Sequence, residues 1–268
     1  MFITVPWNSK PPFGTPLNPA HPLCQGLEIF YALNVGGGVP MDVVTGISAV
    51  ANTATWGFSA RTSGPRLYYN GTASTYTQLS NDAALNSWSG ATSIIAGAAP
   101  AAGGANQHIL DARYTSGNYG YYFGVYSGGV LYCTTPNPQI VGGGALVDGN
   151  YHTWGVSHLA TTTGGVLFYR DGVQVATGTT GFPAAGPPAS PNRYIGCNYN
   201  DSGTYFSGGI DWIGAWSRAL TAREQAAMAL NPWQIFQPLG MWIPEAAAIT
   251  APIFRRTLFA RAGSRGVA

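Results

Sequence analysis

The alternation of bulky and small or polar positions is sharpest in residues 148–177, DGNYHTWGVSHLATTTGGVLFYRDGVQVAT. Two runs of β-branched and aromatic residues, 166–170 and 173–177, flank Asp171-Gly172, two residues that tolerate positive φ. That is the strongest short-range signal for a two-residue β-hairpin. The spacing sets Arg170 opposite Val173 and Phe168 opposite Val175, with Val166, Phe168, Val173 and Val175 on one face. Leu167, Tyr169, Gln174 and Ala176 take the other. In the strand before it, Trp154 and Val156 alternate with Thr153, Gly155 and Ser157, giving one bulky face and one nearly bare face against which another element can pack closely.

Similar short runs predict strands over 27–33, 66–69, 75–79, 92–98, 107–112, 119–126, 130–133, 193–198 and 208–216, separated by Gly-rich turns such as Asn70-Gly71 and Gly128-Gly129. Strands at this spacing form a two-sheet antiparallel sandwich. One helix signal interrupts them. Thr221 and Glu224 form a capping box, and Asn231-Pro232 stops the helix at about Leu230, with Ala227 and Met228 predicted to face the sheet.

Composition agrees with an all-β chain: 37 Gly, 19 Pro and 13% aromatic residues against 8% charged, with a single Lys and three Glu. A net charge of +2 argues for neither nucleic acid nor a membrane surface as partner, and no apolar run reaches the ~20 residues of a membrane span. The first 14 residues lack a basic segment followed by an apolar one, so no secretory signal is expected. Cys24, Cys133 and Cys197 are odd in number and have no CxxC spacing; they are expected as small buried side chains in a reducing compartment.

Residues 1–22 hold six of the prolines and read as an extended N-terminal arm; 23–240 form the sandwich; 241–268 form a C-terminal arm. The segment 246–268 carries Arg255, Arg256, Arg261 and Arg265 and no acid, between Ile249, Ile253, Phe254, Leu258 and Phe259. It reads as a docking segment that folds on a neighbouring subunit rather than as a loose tail. Trp7, Phe13, Phe254, Arg255, Arg256, Phe259 and Arg261 are the candidate assembly contacts.

Four segments in order resemble the laminin-G-like, concanavalin A-like lectin/glucanase jelly rolls, in their phage or bacterial type. They are QGLEIFYALNVGGG (25–38), NGTASTYTQLSNDAAL with the strand after it (70–98), the Asp-Gly-x-aromatic-His hairpin (148–175) and SGGIDWIGAWSRALTAREQAAMALNP (207–232). The likeness spans roughly 26–233. It implies a jelly roll, an architecture that hosts lectins, glucanases and structural modules alike. The family usually carries two acids where this chain has Asp211-Trp212.

Candidate chemistry is sparse. Retaining glycosidases on this architecture use Glu-x-Asp-x-x-Glu on one strand, with carboxyls about 5 Å apart. Here Glu28, Glu224 and Glu245 are dispersed, and the aspartates are scattered with them. Ser157 and His158 point to opposite faces of a strand, and no G-x-S-x-G elbow occurs. His152 and His158 share a face without a third ligand, so they read as satisfied strand residues. No enzyme activity is expected.

For sugar recognition the candidates are Tyr119, Tyr121, Tyr122, Tyr199 and Tyr205 with Asn200, against the alternative that most tyrosines pack the sandwich or an oligomer interface. Calcium is the one cofactor in view, at Asn198, Asn200 and Asp201, against a polar loop without an ion. The expected function is a non-enzymatic virion structural protein, a phage capsid decoration or surface fibre component. It would be assembled in the host cytoplasm, displayed at the virion surface, and held through both arms by other virion proteins or by copies of itself. The alternative is a carbohydrate-binding module of a phage tail or bacterial adhesin.

Overall fold

A computed structural model describes residues 2–5, 9–80, 91–102, 106–113, 120–126, 129–134, 138–140, 146–159, 165–178, 193–197 and 204–242. Seventeen strands and one α-helix lie within them. The strands are β1 (Phe2–Val5), β2 (Leu27–Tyr31), β3 (Ala51–Asn52), β4 (Thr55–Ser59), β5 (Gly64–Asn70), β6 (Thr77–Leu79), β7 (Thr92–Pro100), β8 (Gln107–Arg113) and β9 (Gly120–Tyr126). They continue as β10 (Val130–Thr134), β11 (Pro138–Ile140), β12 (His152–His158), β13 (Val166–Arg170), β14 (Val173–Thr177), β15 (Arg193–Ile195), β16 (Ser207–Trp216) and β17 (Leu239–Trp242). Helix α1 covers Ala222–Leu230.

An eight-stranded antiparallel sheet runs β14-β13-β12-β7-β16-β5-β4, with β2 also paired to β16. A seven-stranded sheet runs β11-β10-β9-β8-β15-β6-β3. Ile94, Trp154, Val156, Phe168 and Ile210 of the first sheet share one core cluster with Leu79, Leu110, Phe123, Val125, Leu131 and Ile195 of the second. This is the two-sheet sandwich that the alternation predicts. Cys133 and Cys197 are buried as expected, whereas Cys24 sits half-buried in the 3-10 turn Pro22–Cys24; all three are free thiols.

A second apolar layer lies on the other face of the eight-stranded sheet. Phe30, Ile95, Trp212 and Trp216 pack there against Met228 of α1 and against Trp233, Ile235 and Phe236, which follow it. The predicted capping box is present: Thr221 accepts from the Glu224 amide, and the Glu224 carboxylate accepts from the Thr221 amide at 2.8 Å. Met228 is fully buried and Ala227 packs on the same cluster. The bare face of β12 explains how the helix comes so near. A Cβ on Gly155 would sit 2.3 Å from Gln225 Oε1.

The hairpin register differs from the expectation. Arg170 does oppose Val173, but a bulge between Phe168 and Tyr169 sets Phe168 opposite Ala176. The extra residue shifts the strand phase, because side chains alternate with period two. Val173 is 66% and Val175 36% exposed, while Ala176 packs against the core. The edge strand β4 was not expected at all. Its sequence, Thr-Trp-Gly-Phe-Ser, places a glycine at its centre, where the Tyr68 ring lies against the backbone.

The Pro-rich residues 9–22 alternate irregular backbone with tight turns, closed by the Thr15 amide on Pro12 O and the His21 amide on Asn18 O, and they run along the sandwich rather than away from it. Pro11 O accepts from Asn34 Nδ2 at 3.0 Å, the Asn18 amide donates to Ile235 O at 2.7 Å, and Leu17 bridges Phe236. Separately, β1 and β17 pair antiparallel, Phe2 with Trp242 and Val5 with Leu239, in a compact unit of their own.

Candidate ligand-binding groove

A groove of about 620 Å³ opens beside α1. One wall is the C-terminal half of the helix, Ala226, Ala229 and Leu230, followed by Asn231 and Pro232; facing it are Arg61 and Thr62 from the β4–β5 turn. Tyr151, Thr153 and Trp233 line it, and Asp171 reaches it from the β13–β14 turn.

Local sequence positions each of these groups. Asn231 ends the helix and its Oδ1 accepts from the Trp233 amide at 3.0 Å, turning the chain into a 3-10 turn over Pro232–Ile235. Asp171 and Gly172 both have positive φ, 50° and 76°, as a tight hairpin turn demands. Gly172 has a second constraint: a Cβ there would lie 2.5 Å from Ala226 Cα, so the turn can abut the helix only as glycine. Gly97 does the same for Tyr151. A Cβ would lie 2.2 Å from both the Tyr151 hydroxyl and Trp212 Nε1, which donates to that hydroxyl at 3.1 Å.

Beneath the groove lies a buried polar network. Asp211 is the residue at the β16 bulge, between Ile210 and Trp212. Its carboxylate accepts from Ser59 Oγ and from Thr62 Oγ1 at 2.8 Å, and it pairs with Arg66 Nε at 2.9 Å. Lys10 Nζ donates to the backbone carbonyls of Asp211 at 2.6 Å, of Leu33 at 3.2 Å and of Pro65, and lies 5.5 Å over the Trp233 ring. Burial pulls the Lys10 ammonium down to about 7, against the pull of Asp211 and with the push of Arg66. Burial likewise raises the Tyr151 phenol, so it stays a neutral hydroxyl. Sequence reasoning marked Asp211 only as a departure from a family pattern and did not anticipate Lys10, because the partners of both are distant in the chain.

The rim carries a second cluster. His152 Nδ1 donates to Asp171 Oδ2 at 2.6 Å, and the Thr153 amide donates to Asp171 Oδ1 at 2.9 Å. Arg170 donates to Leu146 O at 2.7 Å and to Asp148 Oδ2 at 3.0 Å, and its guanidinium lies 2.7 Å from His152 Nε2, itself 3.1 Å from Asp148 Oδ1. The Asn150 amide, with help from His152, holds the Asp148 carboxyl well below the usual range. His152 therefore ties the Asp-Gly loop before β12 to the turn after β13. His158 is buried between Thr92 Oγ1 at 2.9 Å and Cys133 Sγ at 3.3 Å, and burial lowers it to about 3. Ser157 points the other way, to Gln225 and Leu220. Both histidines are satisfied structural side chains, as the sequence suggested.

On the seven-stranded sheet, the face turned away from the core bears a row of aromatic and polar groups. His108 Nδ1 lies 2.8 Å from Asp111 Oδ2, its ring stacks on Tyr122 at 4.8 Å, and Tyr132 meets both. Tyr122 is thus a packing residue, in line with the alternative weighed for the tyrosines, since all four of these side chains are buried. Tyr205 bridges Cys197 and is half-buried. Tyr121 lies in β9; Tyr119, Asn198, Tyr199, Asn200 and Asp201 lie outside the described residues, as do Trp7, Phe254, Arg255, Arg256, Phe259 and Arg261. Phe13 is 54% exposed. Among the described residues no three His, Cys, Asp or Glu side chains converge to hold a metal, and no helix is long and apolar enough to cross a membrane.

Solved structures of similar fold include the Trypanosoma rangeli sialidase, at 17% identity and a TM-score of 0.56, over 77% of this chain and 33% of that one. The binding domain of Paraclostridial mosquitocidal protein 1 matches at 10% identity and 0.58, over 76% and 52%. A botulinum neurotoxin type C, described as dependent on interaction with two ganglioside molecules to enter cells, matches at 10% and 0.55, over 76% and 50%. The chain spans about a third of the sialidase and half of the toxin chains, and at these identities the likeness is one of fold. No curated protein sequence matches. A family profile matches residues 70–224, more than half of the 268, and takes in the Asn70 strand, the Asp148 hairpin and the Asp211 strand through Glu224; the 25–38 segment lies outside it. This chain belongs to the concanavalin A-like lectin/glucanases superfamily, through its laminin-G branch.

Proposed function

We propose that this protein is a non-catalytic recognition module that binds a glycan in the groove beside α1. The observation that carries the reading is the lining itself. An apolar shelf, whose Leu230 is 88% exposed and which ends in the Asn231 amide, faces hydroxyl, carboxylate and guanidinium groups across the groove. Sugar sites combine an apolar surface for a ring face with a few fixed polar groups for its hydroxyls. The fold neighbours named for sialidase activity and ganglioside interaction support the ligand class.

The absence of hydrolysis is part of the proposal. The usual retaining hydrolase pairs a protonated carboxylic acid with a carboxylate. Of the two carboxylates that flank His152, Asp148 is held anionic, and both oxygens of Asp171 are already engaged. Binding to an oligosaccharide panel, reduced at least tenfold in Leu230→Asp with an unchanged melting temperature and accompanied by no new reducing ends, is the expected result. A panel with no binder sinks it.

A second reading, a phage virion subunit held by its arms, is supported by the pairing of β1 with β17. An isolated two-stranded ribbon is marginal in water and gains stability by lying on another surface. Light scattering of the full chain against a chain lacking residues 1–5 and 239–268 tests it: an oligomer that falls to a monomer is expected, and a monomer in both cases overturns it.

A further inference from the structure

Resting on the glycan reading of the groove, we infer that its ligand is an acidic saccharide, with a sugar carboxylate seated on Arg61. Arg61 is exposed on the groove wall, and among the described residues it has no hydrogen-bond or ion-pair partner. Three other guanidiniums are engaged: Arg66 is paired with Asp211, Arg170 with Asp148, and Arg218 with Glu224. The carboxylates near Arg61 are committed elsewhere. Asp171 serves His152 and the Thr153 amide, and Asp211 is buried with Ser59, Thr62 and Arg66.

A planar guanidinium matches a carboxylate through two parallel N–H donors. Arg61 is the one cation without a partner in this lining, which suits the single charge of a carboxylate better than the double charge of a phosphate. The Tyr151 hydroxyl lies close enough to feel the Arg61 charge. With Trp212 donating to its oxygen, its own proton can go to Thr153 or to a ligand oxygen. The remaining lone pairs of Asp171 face the groove as acceptors for sugar hydroxyls, and the Ala226, Ala229 and Leu230 shelf takes the less polar ring face.

The test is titration calorimetry on the full chain with oligogalacturonate and sialyllactose, each beside its carboxyl-reduced form, at low and moderate salt. At least one acidic probe should bind about tenfold or more tightly than its reduced form, and Arg61→Gln should remove that advantage while leaving the reduced form unaffected. Arg223→Gln, an exposed arginine of α1 outside the groove lining, should change nothing. Equal binding of acidic and reduced forms, or an unchanged acidic affinity in Arg61→Gln, overturns the acidic ligand. In that case loss of binding in Leu230→Asp keeps the glycan site itself. Binding of neither form of any probe overturns both.

Discussion

Gln225 Nε2 donates to Ser157 Oγ at 2.9 Å, joining helix α1 to β12, the strand that precedes the best-marked hairpin. The same hydroxyl donates to Leu220 O at 2.9 Å and accepts from Ser93 Oγ at 3.0 Å, while the Leu220 amide donates to Ser93 Oγ at 2.8 Å. Every member is buried, so a lost partner leaves polar atoms without water. Ser157→Ala is expected to destabilise the domain by about 1–3 kcal/mol in urea unfolding. Gly155→Val should cost more, because its branched side chain meets Gln225 and pushes the helix off the sheet. Equal stability of Gly155→Val and wild type would refute this packing.

The Asp211–Arg66 pair gives a second expectation. Removing one member of a buried pair strands the other charge, a loss of roughly 3–5 kcal/mol. Asp211→Ala should therefore lower stability strongly, and adding Arg66→Met should recover part of the loss. If the double variant is as unstable as the sum of the singles, the two side chains are not coupled.

His158 sets an acid limit. Burial keeps it neutral down to about pH 3, whereas an exposed histidine titrates near 6.5. Between those values the unfolded chain binds a proton that the native protein does not. Stability attributable to His158 is thus complete above about 6.5 and falls as the pH drops, by roughly 1.4 kcal/mol per pH unit. Unfolding free energies at pH 7, 6 and 5 should show this slope in the wild type and a flatter one in His158→Gln.

Lys10 produces a second window of the same sign at higher pH. Its folded value of about 7 lies below the ordinary lysine value, so above pH 7 the unfolded chain again holds the extra proton. Stability from this site rises between pH 7 and about 10 and is lowest where the buried ammonium is charged. The melting temperature of the wild type should gain on that of Lys10→Met from pH 7 to 9. A constant difference across that range would show that Lys10 is not desolvated.

Local patterns were enough for much of the frame. Period-two alternation marked most of the long strands, the Thr221 to Glu224 spacing marked the helix start, and Gly155 and Ser157 announced a face that something must approach. Each of these depends on neighbours within a few residues, where side-chain geometry and capping act directly. The bulge at Phe168 was not legible, since a single inserted residue is invisible to a periodicity that restarts on either side of it.

Only the tertiary structure decided the groove. Arg61, Tyr151, Asp171 and the Leu230 to Trp233 segment come from four separate places in the chain, and no spacing relates them. The ammonium of Lys10 meets the Asp211 carbonyl 201 positions away for the same reason. Sequence determined which segments become strands and which faces they bury, because those are questions of local conformation and of apolar period. The fold alone determined which polar groups meet, since burial must satisfy each of them with whatever partner the topology brings near.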